Sequence, residues 1–221
     1  MILCHPEIET IMDFTAYSVW SLVIESPLFF RSFLTDLYEQ YNGAEGQIVL
    51  SENDKQLNIS SYVEIISNPL CYPLTNKAII NKITARMEQI ANSEDFYLKT
   101  AEIMQRLEAH INELAFSLDC DVICNPCNIG SMLKAVGISV RDEYDDPLER
   151  LIDYMELVRE FDKEKLFVFV NLRSCFSESE ISWFFATAQN HGYRILLLDA
   201  KAEQKNGYEH RITIDKDLCE F

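Results

Sequence analysis

Glycine, proline and long apolar runs are scarce in this chain. Its 221 residues include only 6 Gly and 6 Pro, although 48% are hydrophobic. This composition belongs to a folded globular protein with one large domain, or with a main domain carrying a smaller one. The longest apolar runs, around Val19–Ile24 and Leu166–Val170, have the length of buried strands rather than membrane spans. The amino terminus lacks the sections of a signal peptide, so we expect a cytoplasmic protein with no membrane partner.

Basic residues are also in short supply. There are 19 Lys and Arg against 36 Asp and Glu, which gives a formal net charge of −17. Nucleic-acid binding depends on basic side chains that neutralise phosphates, so the net charge by itself argues against DNA. Binding depends on where the charges lie, however. A ring could be acidic outside and basic within, and calcium could neutralise carboxylates.

The 7 cysteines, odd in number and irregularly spaced, do not form a disulfide framework. Cys120, Cys124 and Cys127 have the spacing of a radical-SAM iron–sulfur site. Pro126 stands where such sites usually carry an aromatic residue, and the 94 residues after Cys127 in this chain of 221 are too few for a barrel. The 4 histidines lack metal-site spacing. An iron–sulfur enzyme is therefore kept only as an alternative.

The apolar pattern predicts an α/β fold. Capped helices are expected after Ser26-Pro27, after Asp146-Pro147 and at the capping box Ser177–Glu180. Because several strands are apolar throughout, we expect a parallel or mixed sheet with crossover helices. The predicted strands are Glu7–Asp13, Tyr17–Ile24, Gln47–Leu50, Leu166–Val170, Tyr193–Leu198 and His210–Ile214; the segment from Leu57 to Ile66 fits either a strand or a helix.

Between Thr75 and about Leu118 the pattern is helical and predicts two long helices or one broken helix. Ser93 is expected to cap the second helix, with Glu94 and Asp95 in its first turn. Two apolar stripes are expected to be the packing faces: Ile79, Ile83, Met87 and Ile90 on the first helix, and Ile103, Leu107, Ile111 and Leu114 on the second.

Three segments near the carboxy terminus resemble those of a known family. A Lys-rich turn leads into the apolar strand of Lys163–Asn171; the capped helix of Ser177–Ile181 follows, and then the apolar strand Tyr193–Asp199. Together they resemble the spacer-acquisition protein of type II-A CRISPR systems. Val19–Glu25, the long helical region and the Lys134–Gly137 step fall in the same order, so the resemblance covers nearly the whole chain.

The resemblance implies a homotetrameric ring built from an α/β body and a projecting helical domain. Members bind the ends of linear double-stranded DNA through a basic channel, with calcium as the cofactor. Their other partners are the CRISPR integrase and the effector nuclease. The body of the family has a degenerate P-loop-like topology. Here the turn after the first core strand, Ile24–Leu28, has no glycine and no lysine, and we therefore expect no bound nucleotide.

Candidate site residues follow from placing the family's regions on this chain. For phosphate contact on the helical region we select five basic residues: Lys77, Lys82, Arg86, Lys99 and Arg106. For calcium, the region before the Lys134–Gly137 step retains Asp119, Asp121 and Asn125 as oxygen ligands. Asn125 and Pro126 stand where relatives carry acids. The acidic run Asp142–Asp146 is an alternative calcium site, or a solvated loop that includes an N-cap.

We therefore predict an α/β protein with a mixed-sheet body of degenerate P-loop-like topology, formed by residues 1–68 and 137–221, and an inserted α-helical domain of residues 69–136. The expected function is non-catalytic, sequence-independent binding of double-stranded DNA ends during spacer acquisition. An alternative is a protein-interaction subunit of the acquisition complex that has no DNA binding of its own, since the surface is so acidic.

Overall fold

The computed structural model of the chain describes residues 1–72, 74, 77–120, 122–162 and 164–221. In these ranges the strands are β1 (Ile2–His5), β2 (Ile8–Asp13), β3 (Val19–Ile24), β4 (Val49–Glu52), β5 (Lys55–Leu57), β6 (Val63–Ile66), β7 (Leu166–Val170), β8 (Arg194–Asp199) and β9 (His210–Ile214). The helices are α1 (Pro27–Tyr41), α2 (Ile59–Tyr62), α3 (Lys77–Ala91), α4 (Tyr97–Phe116), α5 (Ile129–Val136), α6 (Pro147–Phe161) and α7 (Glu178–His191). A 3-10 turn, Leu172–Ser174, follows β7.

The chain divides into two compact units. One, the α/β unit, comprises Met1–Tyr72 and Tyr144–Phe221; the other, the helical unit, is Pro73–Glu143 and contains α3, α4 and α5. The helical unit therefore interrupts the sequence of the α/β unit.

The α/β class is confirmed, and its strands form two sheets rather than one. One sheet has the order β6-β7-β8-β3-β9 and all its strand pairs are parallel. The other has the order β2-β1-β4-β5 and is antiparallel. The segment from Leu57 to Ile66, which fits either strand or helix, contains both α2 and β6.

Continuous apolar strands build the core of the α/β unit. Every residue of β3 and β7 is buried, as is typical of parallel strands covered on both faces. On α1, Phe29, Phe33 and Leu37 supply the buried stripe. Burying these side chains supplies most of the stabilisation, at roughly 25 cal/mol for each Å² of apolar surface removed from water. The sheet is thereby a rigid support for the turns at its two edges.

Two of the predicted helix starts are confirmed by side-chain hydrogen bonds. The Asp146 carboxylate accepts from the Leu148 N–H at 2.8 Å. Ser177 and Glu180 form the reciprocal capping box at the start of α7. Ser26 occupies the N-cap position of α1, with Pro27 behind it, but makes no side-chain capping bond.

The Ser93 cap is wrong. Helix α4 begins at Tyr97, with Phe96 in the N-cap position. Ser93 instead lies two residues after the end of α3, where its hydroxyl donates to the Ile90 carbonyl at 2.7 Å. A hydroxyl can bond a preceding carbonyl as readily as a following N–H, and the sequence does not distinguish the two.

The apolar stripes of the helical unit are less buried than their spacing predicts. Of the α3 stripe only Ile79 is buried, and α4 has no buried residue at all. Ile103 and Leu114 are each 55% exposed. Among the described residues, none of the helices combines the length and apolar character needed to cross a lipid bilayer.

Candidate functional site

The five basic residues selected from the sequence lie on α3 and α4 of the helical unit. Four of them, Lys77, Arg86, Lys99 and Arg106, are exposed, and Lys82 is half-buried. On α3, Lys82 and Arg86 are four residues apart, while Lys99 and Arg106 are seven apart on α4; each pair therefore shares a helix face. The helices present these cations to solvent as long side chains on rigid backbone.

Three acidic side chains near these cations make contacts inside the helical unit. Glu102 forms an ion pair with Arg106, with Oε1 2.7 Å from the guanidinium. Glu108 accepts a hydrogen bond from the Cys127 N–H at 3.0 Å. Glu88 lies against the first turn of α5, since a methyl group added at Gly130 would stand 2.7 Å from its Oε1. A helix amino terminus stabilises a carboxylate in this position.

Most of the net negative charge belongs to the α/β unit. The segment from residue 73 to residue 143 contains seven Lys and Arg and ten Asp and Glu, so its formal charge is −3 of the total −17. Between Lys77 and Arg106 the balance is five basic to four acidic residues. The helical unit is therefore much better suited to an anionic ligand than the whole-chain charge indicates.

The predicted calcium ligands Asp119 and Asn125 line two cavities of the helical unit that share Asn112. Asp119 lines one cavity with Phe116 and Cys120, whereas Asn125 lines another with Glu108. Asp121 lies outside the described residues. Since Ca²⁺ takes 6–8 oxygen ligands, Asp119 and Asn125 do not by themselves form a site that fits it.

The cysteines of the iron–sulfur alternative are also divided between the two cavities. Cys120 lines the first, and Cys124 and Cys127 line the second. All seven cysteines are free thiols. In the part of the chain that the structure describes, no group of three or more His, Cys, Asp or Glu side chains has the geometry to hold a metal ion.

An apolar surface covers α4 and the segment after it. Phe116 is 89% exposed and Ile123 is 93% exposed, and Leu98 and Leu114 are also more than half exposed. A helix of 20 residues gains most of its stability in proteins from burying an amphipathic face. The described chain gives α4 no such burial, and large exposed apolar patches mark interaction surfaces.

The carboxyl edge of the parallel sheet is where α/β proteins of this kind bind ligands. Here the turn after β3 engages its backbone within the protein: the Glu25 N–H donates to the Ile214 carbonyl at 2.8 Å, and Pro27 has no N–H. At the end of β8, Asp199 is buried 3.3 Å from the Arg173 guanidinium. Arg173 also pairs with Glu209, 2.5 Å away. Internal ion pairs therefore occupy this edge.

Burial raises the pKa of Asp199 to about 6, although the Arg173 guanidinium opposes the shift. The Asp199 Oδ2 atom lies 3.3 Å from the Arg173 Nε atom, and the two form an ion pair without the alignment of a hydrogen bond. The carboxyl is thus held where its charged form is poorly solvated.

Sequence reasoning missed a second concentration of cations, on the α/β unit. Arg159 on α6, Lys165 before β7 and Arg194 at the start of β8 line one small cavity with Tyr193. These residues are far apart in the sequence and belong to different elements, so no local pattern joins them. Lys163, the first residue of the Lys-rich turn before β7, lies outside the described residues.

Comparison with known proteins gives one result. A family model described as CRISPR-associated protein (Cas_Csn2) matches residues 40–218, from the end of α1 through β9. A search of curated proteins finds no match. The matched range contains the whole helical unit, the α/β unit from residue 40 to residue 218, and the candidate phosphate-contact and calcium residues.

Proposed function

Because the chain belongs to the CRISPR-associated Csn2 family, the spacer-acquisition proteins of type II-A CRISPR systems, we propose that it binds the ends of linear double-stranded DNA as a homotetrameric ring in the cytoplasm. The single observation that carries the DNA proposal is the pair of helices that expose Lys77, Arg86 and Lys99, while Glu108 is hydrogen-bonded within the helical unit and Glu88 lies against α5.

Contacts of this kind neutralise phosphates and do not read bases. Long cationic side chains on a helix face can follow the backbone of any duplex, and this suits a protein that must accept spacers of arbitrary sequence. Affinity should then come mainly from counterion release and decrease steeply with salt. The acidic α/β unit would contribute little to binding and would favour a single orientation of the duplex.

Self-association is supported by the exposed apolar surface of α4. Side chains such as Ile103, Leu114 and Phe116 are apolar, largely exposed and carried by one helix. Burying them against another copy of the chain would provide the stabilisation that α4 lacks in one copy. A ring would also bring several copies of the cationic helices around one duplex.

We propose no catalytic step. The turn after β3 has no glycine or lysine to hold a phosphate, and the Glu25 N–H donates to the Ile214 carbonyl, so it is not available to a nucleotide. Calcium binding is an expectation from the family. Asp119 and Asn125 line different cavities, so the gel shift below is run both with calcium and with a chelator.

A gel-shift experiment tests the proposal. A linear duplex and a closed circle of the same sequence are compared at low salt, with calcium and with a chelator. The expected result is that only the linear form is shifted, because a ring must be threaded by a free end. Equal shifts of both forms would contradict threading.

Charge variants test which residues bind. The double variant Arg86→Gln with Lys99→Gln should reduce the slope of log K against log salt by about 2 for each subunit of the ring that contacts the duplex, at roughly 0.9 for each lost phosphate contact. The matched control is Lys201→Gln with Lys205→Gln, which removes the same charge from an exposed loop of the α/β unit. Equal slopes for the two double variants would exclude α3 and α4 as the binding surface.

A second candidate function is supported by the charge distribution. The α/β unit carries nearly all the net negative charge, and such a surface is suited to basic protein partners such as the CRISPR integrase or effector nuclease. No shift of either DNA form at low salt would favour this function over DNA binding.

A further inference from the structure

A small cavity lies at the amino ends of β7 and β8 in the α/β unit, at the opposite edge of the sheet from Asp199. Its volume is about 90 Å³. That is space for a few water molecules, each of about 30 Å³ in the liquid, or for one tetrahedral oxyanion. It is much smaller than the 300–1,000 Å³ typical of sites for cofactors and other drug-sized ligands. Any specific occupant must therefore be small.

Three cationic side chains line this cavity. Arg159 lies with its guanidinium carbon 4.9 Å above the ring of Tyr193 and donates to the His191 carbonyl. The side chain of Lys165 is only 9% exposed, with its ammonium 3.8 Å from Asp162. Arg194 donates through one terminal nitrogen to Glu52 at 2.9 Å. The guanidinium and ammonium groups thus remain anchored while they face a common space.

Two buried donors at the cavity lack acceptors. The Tyr193 side chain is 1% exposed, and the structure gives neither its hydroxyl nor the second terminal nitrogen of Arg194, Nη1, a hydrogen-bond partner among the residues it describes. Burial raises the pKa of Tyr193 to about 12, so the hydroxyl keeps its proton and can donate. A buried donor without an acceptor is unfavourable by about 1–3 kcal/mol, which an acceptor-rich occupant would relieve.

Carboxylates also lie at and around the cavity. Glu164 also lines it and shares a hydrogen bond with Glu52, which raises the pKa of Glu164 and lowers that of Glu52. Glu52 is in turn 3.3 Å from the terminal ammonium of Met1 and is bonded to Arg194. Among the described residues that line the cavity there are thus three cations and one carboxylate, Glu164, and Glu156 and Asp153 act on Tyr193 from nearby.

We propose that this cavity binds a phosphate group through Tyr193, Arg194, Arg159 and Lys165. Phosphate is tetrahedral, fits the volume and offers only acceptor oxygens to the unpartnered donors. The group could be free inorganic phosphate or the terminal phosphate of a DNA strand. The site itself does not depend on DNA binding by the helical unit; only the DNA source does.

The first test is thermal unfolding of the full chain in increasing sodium phosphate, with sodium chloride added to keep ionic strength constant. The expected result is a Tm that rises with phosphate concentration, as for any ligand of the folded state. An equal Tm in phosphate and chloride would mean that the cavity holds only water, and the proposal would be wrong.

The Tyr193→Phe variant sharpens this test because it removes only the unpartnered hydroxyl. Without phosphate it should be at least as stable as the parent protein, since no hydrogen bond is lost. With phosphate, its apparent affinity should be weaker on the order of tenfold, as expected for a lost hydrogen bond to a charged group. Tyr208→Phe is the control, because Tyr208 is an exposed tyrosine of the same unit that does not line this cavity. An unchanged phosphate response in Tyr193→Phe would overturn the assignment.

A second variant tests the same cavity in case Tyr193→Phe does not fold. Arg194→Lys keeps the charge and removes the unpartnered nitrogen, so it should weaken phosphate binding as well.

A comparison of two DNA duplexes identifies the source of the phosphate group. Gel shifts compare a duplex with 5′-phosphate ends and one with 5′-hydroxyl ends. A preference for the phosphorylated duplex that Tyr193→Phe abolishes assigns a DNA terminus. Equal DNA binding, with the Tm response to inorganic phosphate retained, assigns the free anion. If the duplex does not bind at all, the Tm response alone still decides whether the site exists.

Discussion

Asp199 is the residue whose surroundings make the clearest prediction. Its folded pKa of about 6 lies above the ordinary value near 3.9, so the folded state holds the proton more tightly than the unfolded chain does. The stabilisation that this proton gives is full below about pH 4 and is lost as the pH rises through 6. The parent protein should therefore gain stability from this group on mild acidification.

The Asp199→Asn variant isolates this contribution. Between pH 6 and pH 4.5, the unfolding free energy of the parent should increase relative to the variant by roughly 1 kcal/mol for each pH unit. Asp217→Asn, at an exposed position, is the control and should follow the parent. Denaturant unfolding at several pH values measures the difference. Parallel curves for the parent and Asp199→Asn would contradict a raised pKa at Asp199.

At the scale of single elements, the capping box of α7 is the best-defined local interaction. Ser177 accepts from the Glu180 N–H, and the Glu180 carboxylate accepts from the Ser177 N–H at 2.7 Å. Helix α7 packs Phe184 and Phe185 into the core, so its stability is coupled to that of the sheet. Ser177→Ala should lower the unfolding free energy by about 1 kcal/mol.

Thermal or denaturant unfolding of the α/β unit in the full chain measures this loss. Ser61→Ala is the control, because Ser61 is an exposed helical serine of the same unit that is not an N-cap. A loss for Ser61→Ala as large as that for Ser177→Ala would mean that the substitution acts through helix propensity or local solvation and not through the cap.

At the scale of the whole molecule, the prediction concerns assembly. Ile103 and Leu114 are eleven residues apart on α4, which places them on one face, and both are more than half exposed. The double variant Ile103→Asp with Leu114→Asp should reduce the oligomeric mass measured by light scattering, because it would place charges in the proposed interface between copies. Its circular dichroism should keep the signal of the α/β unit, since neither residue belongs to that core.

Leu218→Asp is the matched control for assembly. Leu218 is also 55% exposed but lies in the α/β unit. If α4 forms the interface, Leu218→Asp should keep the parent mass. A parent-like mass for the α4 double variant would show that self-association, if present, uses another surface.

The sequence by itself determined the α/β class, most strand and helix positions and the family. These properties depend on local patterns: the apolar runs of β3 and β7, the helical spacing of the apolar residues of α1, and caps such as Asp146 and Ser177. The position of the five basic residues on two helices also followed from helical spacing, whereas their contact with phosphates stays a prediction. The order of these patterns along the chain carried the resemblance to the family.

Tertiary structure decided what those patterns could not. An apolar stripe shows that a helix has a packing face but does not identify what covers it, so the exposure of Ile103 and Leu114 became evident only from the fold. A net charge of −17 says nothing about which carboxylates are engaged, as Glu88 and Glu108 are. The cavity of Arg159, Tyr193 and Arg194 exists because α6, α7 and β8 meet there, and the Glu52 contact adds β4. Distances between residues remote in sequence are set by packing, and packing is a property of the whole chain.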